Sequence, residues 1–101
     1  MSNRKLTIQE KKLIEFLIHK SSINFPPGWD KDIFVCPMND GDMGSLYLYS
    51  KETIGNDRKF GKQISEAEFK DKDGVVVIAS LNLDQNGDLY ELDIWKLIIV
   101  D

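Results

Sequence analysis

The sequence predicts an α+β fold, in which an N-terminal helix packs on an antiparallel sheet of four to five strands ending in a long β-hairpin. Two observations support this prediction. Apolar residues recur at helical spacing near the N-terminus, and two β-branched runs near the C-terminus flank Asn86-Gly87. Of the 101 residues, 42% are hydrophobic and 30% are charged. This length and composition suit one domain, residues 1–101, with its own core.

The helix is predicted to span Ile8–Lys20. Thr7 and Glu10 have the spacing of a capping box, in which each side chain binds the backbone N–H of the other residue. The apolar positions that then follow a helical period are Leu13, Ile14, Leu17 and Ile18. The next segment, Phe25–Trp29, contains two prolines, so neither a helix nor a central strand can pass through it. We expect its aromatic residues to cover one edge of the core.

Shorter elements are predicted in the middle of the chain. Ile33–Met38 is typical of a strand, and Pro37 places that strand towards a sheet edge. Ser45–Ser50 alternates in the manner of a second strand. Arg58–Ile64 is interpreted as a short strand, and Ser65–Phe69 as a single helical turn that Ser65 opens.

The terminal hairpin is predicted from Val75–Asp84, Leu89–Val100 and the Asn86-Gly87 pair between them. Asn-Gly favours a two-residue type I′ turn, since both residues tolerate a positive φ. That turn would place Gln85 opposite Asp88 and set the register. On the predicted core face the pairs are Leu83–Tyr90, Leu81–Leu92, Ala79–Ile94, Val77–Lys96 and Val75–Ile98. On the opposite face they are Asn82–Glu91, Ser80–Asp93, Ile78–Trp95 and Val76–Leu97.

The second face is the candidate binding surface. It combines a polar patch with an aromatic residue, and its predicted members are Ser80, Asn82, Glu91, Asp93 and Trp95. Tryptophan is enriched among the residues that anchor protein interfaces. Large aromatic side chains are also commonly buried, so the alternative is that Trp95 packs beneath the loop formed by Phe25–Trp29 or beneath another strand.

The charge distribution bears on partners and location. The net charge is −4, and residues 73–101 hold six acidic residues against one basic residue. Such a segment repels phosphate groups, so no nucleic acid is expected, whereas a basic protein partner would be attracted. The apolar segment Leu6–Ile18 is interrupted by charges, so no membrane span is expected and the chain is assigned to the cytoplasm.

No residue pattern predicts catalysis or a cofactor. The chain has one cysteine, Cys36, and one histidine, His19, which is too few for a zinc site. The oxygen-rich segment Asp84–Asp88 resembles the start of a calcium loop, but Trp95 stands where the closing carboxylate belongs. Glu91 and Asp93 share a strand face, where two acids could hold a divalent ion or transfer a proton. We therefore expect no cofactor and favour a non-enzymatic role.

Three stretches together carry a resemblance to a known family. They are Met38–Leu46, Arg58–Gly61, and Leu81–Asp84 together with Gly87–Lys96, which include a D-G-x-M-G-S-L turn and an E-L-D-x-W-K terminal strand. The chain resembles a family of small, single-domain bacterial proteins of unknown function. The resemblance implies a fold and no activity, and it adds the turn residues Asp40, Met43 and Ser45 to the candidate surface. Small acidic α+β proteins of this style are also similar to immunity proteins that neutralise bacterial toxins.

The leading hypothesis is a non-enzymatic protein-binding module that uses the Trp95 face or the turn from Asp40 to Ser45. A toxin-neutralising role is one version of it. The alternative is a small-molecule or metal-binding domain, with or without enzymatic activity, built on the polar face of the hairpin. A third hypothesis is a homo-oligomer that associates through the Trp95 face.

Overall fold

The computed structural model describes residues 4–39, 44–53 and 57–97. One helix, α1 (Ile8–Lys20), accompanies six strands within these residues: β1 (Arg4–Lys5), β2 (Phe34–Pro37), β3 (Leu46–Tyr49), β4 (Phe60–Lys70), β5 (Val76–Asp84) and β6 (Leu89–Leu97). They form a single sheet in the order β1-β2-β3-β6-β5-β4, and every neighbouring pair is antiparallel. The α+β class is confirmed, but the predicted four to five strands fall short of six.

Helix α1 has the bounds and the cap that the sequence predicts. Thr7 Oγ1 accepts a hydrogen bond from the Glu10 amide at 3.1 Å, and Glu10 Oε1 accepts one from the Thr7 amide at 2.9 Å. The guanidinium of Arg4 binds both carboxylate oxygens of Glu10, at 2.8 and 2.9 Å. This bidentate contact ties β1 to the first turn of α1, and it holds the pKa of Glu10 below its ordinary value.

The core lies between α1 and one face of the sheet. Ile14, Leu17 and Ile18 are the buried residues of the helix, and they belong to one cluster with the inward side chains of the strands. The strand members are Val35, Leu46, Leu48, Ala67, Val77, Ala79, Leu81, Leu83, Leu89, Leu92 and Ile94. Phe25 and Trp29 are half-buried against this cluster, as the sequence predicts.

Strand β4 confirms one prediction in part and corrects another. The strand predicted at Arg58–Ile64 is present from Phe60, but the helical turn predicted at Ser65–Phe69 is wrong, because Phe60–Lys70 is one continuous strand paired with β5. Two register shifts interrupt it, between Phe60 and Lys62 and between Gln63 and Ser65. Residues 65–69 have good helix propensity, but a single helical turn is only weakly stable. Pairing with β5 and the burial of alternate side chains stabilise the strand more.

The β5–β6 register is confirmed from Asn82–Glu91 towards the far end of the described hairpin. The predicted two-residue turn is wrong. The Asp84 amide donates to the Asp88 carbonyl at 2.8 Å, and the Gly87 amide donates to the Asp84 carbonyl at 3.1 Å, so the loop has three residues, Gln85 to Gly87. Gly87 supplies the positive φ, 87°, that closes such a loop.

A bulge compensates for the longer loop. Leu83 pairs with Leu89 in place of the predicted Tyr90, and the register then shifts between Leu83 and Asn82. Tyr90 is the extra residue that this shift absorbs. Because the added loop residue and the bulge cancel, every pair beyond them matches the prediction. The predicted pair Val75–Ile98 involves Ile98, which lies outside the described residues.

Asp84 organises the loop. Its Oδ1 accepts hydrogen bonds from the amides of Asn86, at 2.8 Å, and Asp88, at 3.0 Å. Both amides would otherwise point into the turn without an acceptor. The opposite oxygen, Oδ2, accepts from Nε of Arg58 at 2.8 Å. The carboxylate therefore fixes the loop and holds a cation at the same time.

Arg58 connects four parts of the sheet. Beyond its contact with Asp84 on β5, its Nη1 donates to the carbonyl of Leu48 on β3 at 2.8 Å. Its Nη2 donates to the carbonyl of Leu89 on β6 at 2.5 Å. The guanidinium also lies 5.0 Å from the ring centroid of Tyr90, the bulged residue. With β4 directly following, Arg58 binds the ends of four strands together.

Removal of either partner of the Arg58–Asp84 pair should destabilise the fold strongly. The two side chains are only 10% and 0% exposed, so Asp84→Asn or Arg58→Met leaves a buried polar group or charge without its partner. We expect a loss of about 3–5 kcal/mol in the free energy of unfolding, measured by urea denaturation. The matched control is Glu15→Gln, which breaks the 43% and 41% exposed pair with Lys11 and should cost less than about 1 kcal/mol. Equal losses in both variants would contradict this assignment.

The same pair predicts a dependence on pH. Burial raises the pKa of Asp84, but hydrogen bonds from Arg58 and from the amides of Asp88 and Asn86 outweigh it, so the folded-state pKa is lowered. This contribution to stability is present above the unfolded pKa, about 4, and is lost as the pH falls through the folded pKa. Urea midpoints measured from pH 6 down to pH 2 should therefore fall more steeply in the wild type than in Asp84→Asn. If the urea midpoints of the two proteins fell in parallel with pH, Asp84 would not be the source of this dependence.

Candidate functional site

The sheet has one face that α1 does not cover, here named the open face. Residues paired across antiparallel strands share a face, so the register assigns its members directly. They are Phe34 and Cys36 on β2, Tyr47 and Tyr49 on β3, Glu91, Asp93, Trp95 and Leu97 on β6, Val76, Ile78, Ser80 and Asn82 on β5, and Gln63, Glu66, Glu68 and Lys70 on β4. The described helix lies on the other face, against β4 and β5.

Trp95 is the most exposed aromatic residue of the open face, with 64% of its surface accessible. The alternative in which it packs beneath the loop formed by Phe25–Trp29 is wrong. That loop packs against the core and lines a cavity with Ile18 and His19 of α1. Beside Trp95, its cross-strand partner Ile78 is half-buried, and Leu97 is 44% exposed. An apolar patch therefore lies open at this end of the sheet.

The predicted polar patch forms a connected group next to Trp95. Asn82 is only 3% exposed, and its Nδ2 donates to Asp93 Oδ2 at 2.9 Å and to Glu91 Oε1 at 3.4 Å. Ser80 is paired with Asp93 across the strands and is half-buried. The structure thus brings together the four polar residues that the sequence singles out. A buried amide holds both acids in place.

The open face is strongly acidic. Burial and the neighbouring charge of Asp93 raise the pKa of Glu91, and the hydrogen bond from Asn82 opposes this shift. Among the described residues, neither acid forms an ion pair. Two more carboxylates, Glu66 and Glu68, come from β4, while Lys70 is the one basic member of the open face as defined above. The described charged side chains of the open face therefore carry a net negative charge.

Ser45 has a structural role and is not part of the exposed surface. It is 5% exposed, its Oγ accepts from the amide of Ile94 at 2.8 Å, and it donates to the Ile94 carbonyl at 3.3 Å. The hydroxyl thereby extends the pairing of β3 and β6 beyond the two residue pairs of their ladder. The other two residues of the predicted turn surface, Asp40 and Met43, lie outside the described residues.

Concave sites occur elsewhere in the described structure. Four cavities of 310 to 410 Å³ lie around α1, the loop formed by Phe25–Trp29 and the tip of the β5–β6 hairpin. None of the four is lined by Trp95, Glu91 or Asp93. Within the described ranges, no group of three or more His, Cys, Asp or Glu side chains is placed to hold a metal ion. The candidate surface is therefore separate from these four cavities.

Two pairs of residues that shape the site are absent from the predicted set of site residues. Glu66 and Glu68 join the open face because β4 is a strand, and the alternation of Ser65, Glu66, Ala67 and Glu68 was the available signal. Arg58 and Asp84 position the start of β6, and hence Glu91. An aspartate at the first position of a turn is a recognisable signal, but nothing local identifies its arginine partner.

A family model described as a domain of unknown function (DUF6984) matches residues 3–97 of the chain. No curated protein and no solved structure matches this chain. In the part of the chain that the structure describes, no helix is both long enough and apolar enough to span a bilayer.

Replacement of Asp93 should change the titration of Glu91. Burial is the larger cause of the raised pKa of Glu91, and the Asp93 charge is the second. In Asp93→Asn, the pKa of Glu91 should move towards its ordinary value without reaching it, as measured by NMR titration of the side-chain carboxyl. An unchanged pKa would mean that the two acids do not interact.

Replacement of Glu91 should stabilise the fold at neutral pH. A raised folded-state pKa contributes stability below the unfolded pKa, about 4.3, and that contribution is lost as the pH rises through the folded pKa. Glu91→Gln should therefore gain roughly 0.5 kcal/mol or less at pH 7 in urea denaturation, and the gain should vanish below about pH 4. A loss of stability at pH 7 would contradict this expectation.

Proposed function

The chain belongs to the DUF6984 family of domains of unknown function, and we propose that it is a non-enzymatic module whose open face binds a basic protein partner. The observation that carries the proposal is the exposed Trp95 beside the acidic group of Glu91 and Asp93. Neutralisation of a basic toxin, in the manner of an immunity protein, is one form that this binding would take.

The apolar part of the open face supports a macromolecular partner. Trp95 is 64% exposed, with Leu97 and Ile78 beside it, and Tyr47 is exposed on β3. Protein interfaces are centred on such aromatic anchors, which lose water over a large area when the partner docks. The side chains rise from paired strands, so their backbone is already ordered before binding. Little conformational entropy is then lost in presenting them.

The acidic part supports a basic partner. Glu91, Asp93, Glu66 and Glu68 place four carboxylates on the open face near Trp95. Acidic groups around an apolar centre speed the encounter with a positively charged protein and select against negatively charged ones. The hydrogen bonds from Asn82 to Glu91 and Asp93 limit the motion of both carboxylates. A partner therefore meets charges that are already oriented.

The shape of the surface favours a protein over a small molecule. Small ligands are bound in concave sites that enclose most of their area, and the four cavities described above do not include the acids or Trp95. An exposed sheet face buries a large area only against another large surface. For this reason the small-molecule alternative receives no further support from the geometry.

Site-directed photo-crosslinking tests the proposal in the native host. A benzophenone amino acid at position 95 should capture a partner with a basic surface, whereas the same group at position 16 should not. Phe16 is the matched control, because it is 56% exposed but lies on α1. The captured protein is then purified and its dissociation constant is measured directly.

Substitutions on the open face should weaken that complex selectively. Trp95→Ala should raise the dissociation constant at least about thirtyfold, as expected for an anchor residue, with little effect on the free energy of unfolding. The double substitution Glu91→Gln with Asp93→Asn should weaken binding and reduce its dependence on salt. Phe16→Ala should leave binding unchanged. If Trp95→Ala binds as tightly as the wild type, the open face is not the docking surface.

A further inference from the structure

Strand β4 is a long strand at the edge of the sheet. The strand order ends at β4, whose described neighbour on one side is β5, and β4 runs for the eleven residues of Phe60–Lys70. The outer side of an edge strand carries backbone N–H and C=O groups that can pair with another chain. The opposite edge, β1, has two residues within the described part of the chain.

The two halves of β4 differ in regularity. Both register shifts lie in the first half, before Ser65, and bulges of this kind disrupt pairing along an edge. From Ser65 to Lys70 the pairing with β5 is uninterrupted. The regular half is therefore the part of the edge that can accept a further strand.

The charges of this regular half are self-complementary. Its sequence reads Glu66-Ala67-Glu68-Phe69-Lys70, followed by Asp71-Lys72. An antiparallel second copy centred on Phe69 would place Glu68 opposite Lys70, and the two-fold axis would repeat that contact. Lys70 is the one lysine of Ser65–Lys70, and in this register it would face a glutamate of the other copy. Lys72 lies in the turn that follows β4, where the Gly74 amide donates to the Asp71 carbonyl, so it takes no part in the pairing.

We propose that the protein forms a symmetric dimer in which the outer edges of two β4 strands pair antiparallel about Phe69. The occupant of the edge is a second copy of this chain, selected by the reciprocal contacts between Glu68 and Lys70. Opposite charges directly across an antiparallel pair stabilise it, and like charges destabilise it. A contact of one surface with itself closes at two copies, so it does not propagate into a fibre.

The side chains concerned are free to make these contacts. Glu66, Glu68 and Lys70 are all exposed, and among the described residues none of them forms an ion pair. Gln63 does hydrogen-bond the Glu66 carboxylate, at 3.2 Å. Phe69 is 41% exposed on the helix side of the sheet. In the proposed dimer the two Phe69 rings meet at the axis and cover each other.

The backbone N–H and C=O groups at this edge are accessible, and the residues that the proposed register pairs direct them outwards. Lys20 Nζ donates to the Glu66 carbonyl at 2.6 Å, so a donor from outside β5 can reach that group. Alternate residues of a strand direct their backbone groups to the same side, so Glu68 and Lys70 present theirs to the same edge. The proposed register pairs these two residues, as a hydrogen-bonded antiparallel pair requires. In the dimer, Lys20 gives up its contact to the incoming strand.

This pairing would join the two six-stranded sheets into one. A two-fold axis perpendicular to the sheet keeps both helices on one side and both open faces on the other. The dimer would therefore present two copies of the Trp95 surface to the same side. The dimer does not require the partner proposed above, although Glu68 and Lys70 also belong to the open face, because its test measures self-association and not partner binding.

Charge-reversal variants test the register directly. Sedimentation velocity over a wide range of protein concentrations should show a dimer for the wild type. Glu68→Lys and Lys70→Glu should each raise the dimer dissociation constant about tenfold or more, since each creates two like-charge contacts per dimer. The double variant should restore the wild-type value. Glu15→Lys, which makes the same charge change on α1, should leave the constant unchanged.

Mixing the two single variants gives the decisive readout. In a mixed dimer, the lysine introduced at position 68 of one chain would face the glutamate introduced at position 70 of the other. The native Lys70 of the first chain would face the native Glu68 of the second, so both contacts become favourable. Recovery of the dimer on mixing supports the proposed register. A wild type that stays monomeric throughout, or single variants that dimerise as well as the wild type, would overturn it. Circular dichroism of each variant confirms that the fold is retained.

Discussion

The buried pair of Arg58 and Asp84 is the constraint on which the sheet depends. A carboxylate with no exposed surface is costly to bury, and it is tolerated here because it accepts from a guanidinium and from two backbone amides. The guanidinium in turn donates to the carbonyls of Leu48 and Leu89. The Arg58–Asp84 pair therefore fixes the hairpin loop and holds the start of β6 next to β3. It also positions the segment that leads into β4.

The same interaction determines what the open face displays. The loop held by Asp84 is one residue longer than an Asn-Gly turn requires, and the bulge at Tyr90, whose ring lies against Arg58, removes that extra residue from the ladder. Without the bulge, β6 would be shifted by one residue. Glu91, Asp93 and Trp95 would then point into the core, and Leu92 and Ile94 would point into solvent. The candidate surface faces solvent because the register shift made by the longer loop is reversed by the bulge.

Much of this architecture could be predicted from local sequence signals. The capping box of Thr7 and Glu10 is a short-range pattern, and so is the alternation that assigns Asn82, Glu91 and Asp93 to one face. The errors arose where distant contacts decide the outcome. Residues 65–69 have helix-forming composition, but pairing with β5 makes them a strand. The loop type depends on the side chain of Asp84, and the exposure of Trp95 depends on where the loop formed by Phe25–Trp29 packs.

We claim that Trp95 is exposed on an uncovered face of the sheet, and the fluorescence of Trp95 reports this exposure. The chain has two tryptophans, so Trp29→Phe leaves Trp95 as the single emitter. An exposed Trp95 predicts emission at the long wavelength of a water-exposed indole, with efficient quenching by acrylamide. A blue-shifted emission protected from acrylamide would contradict the claim, because it would mean that the open face is covered.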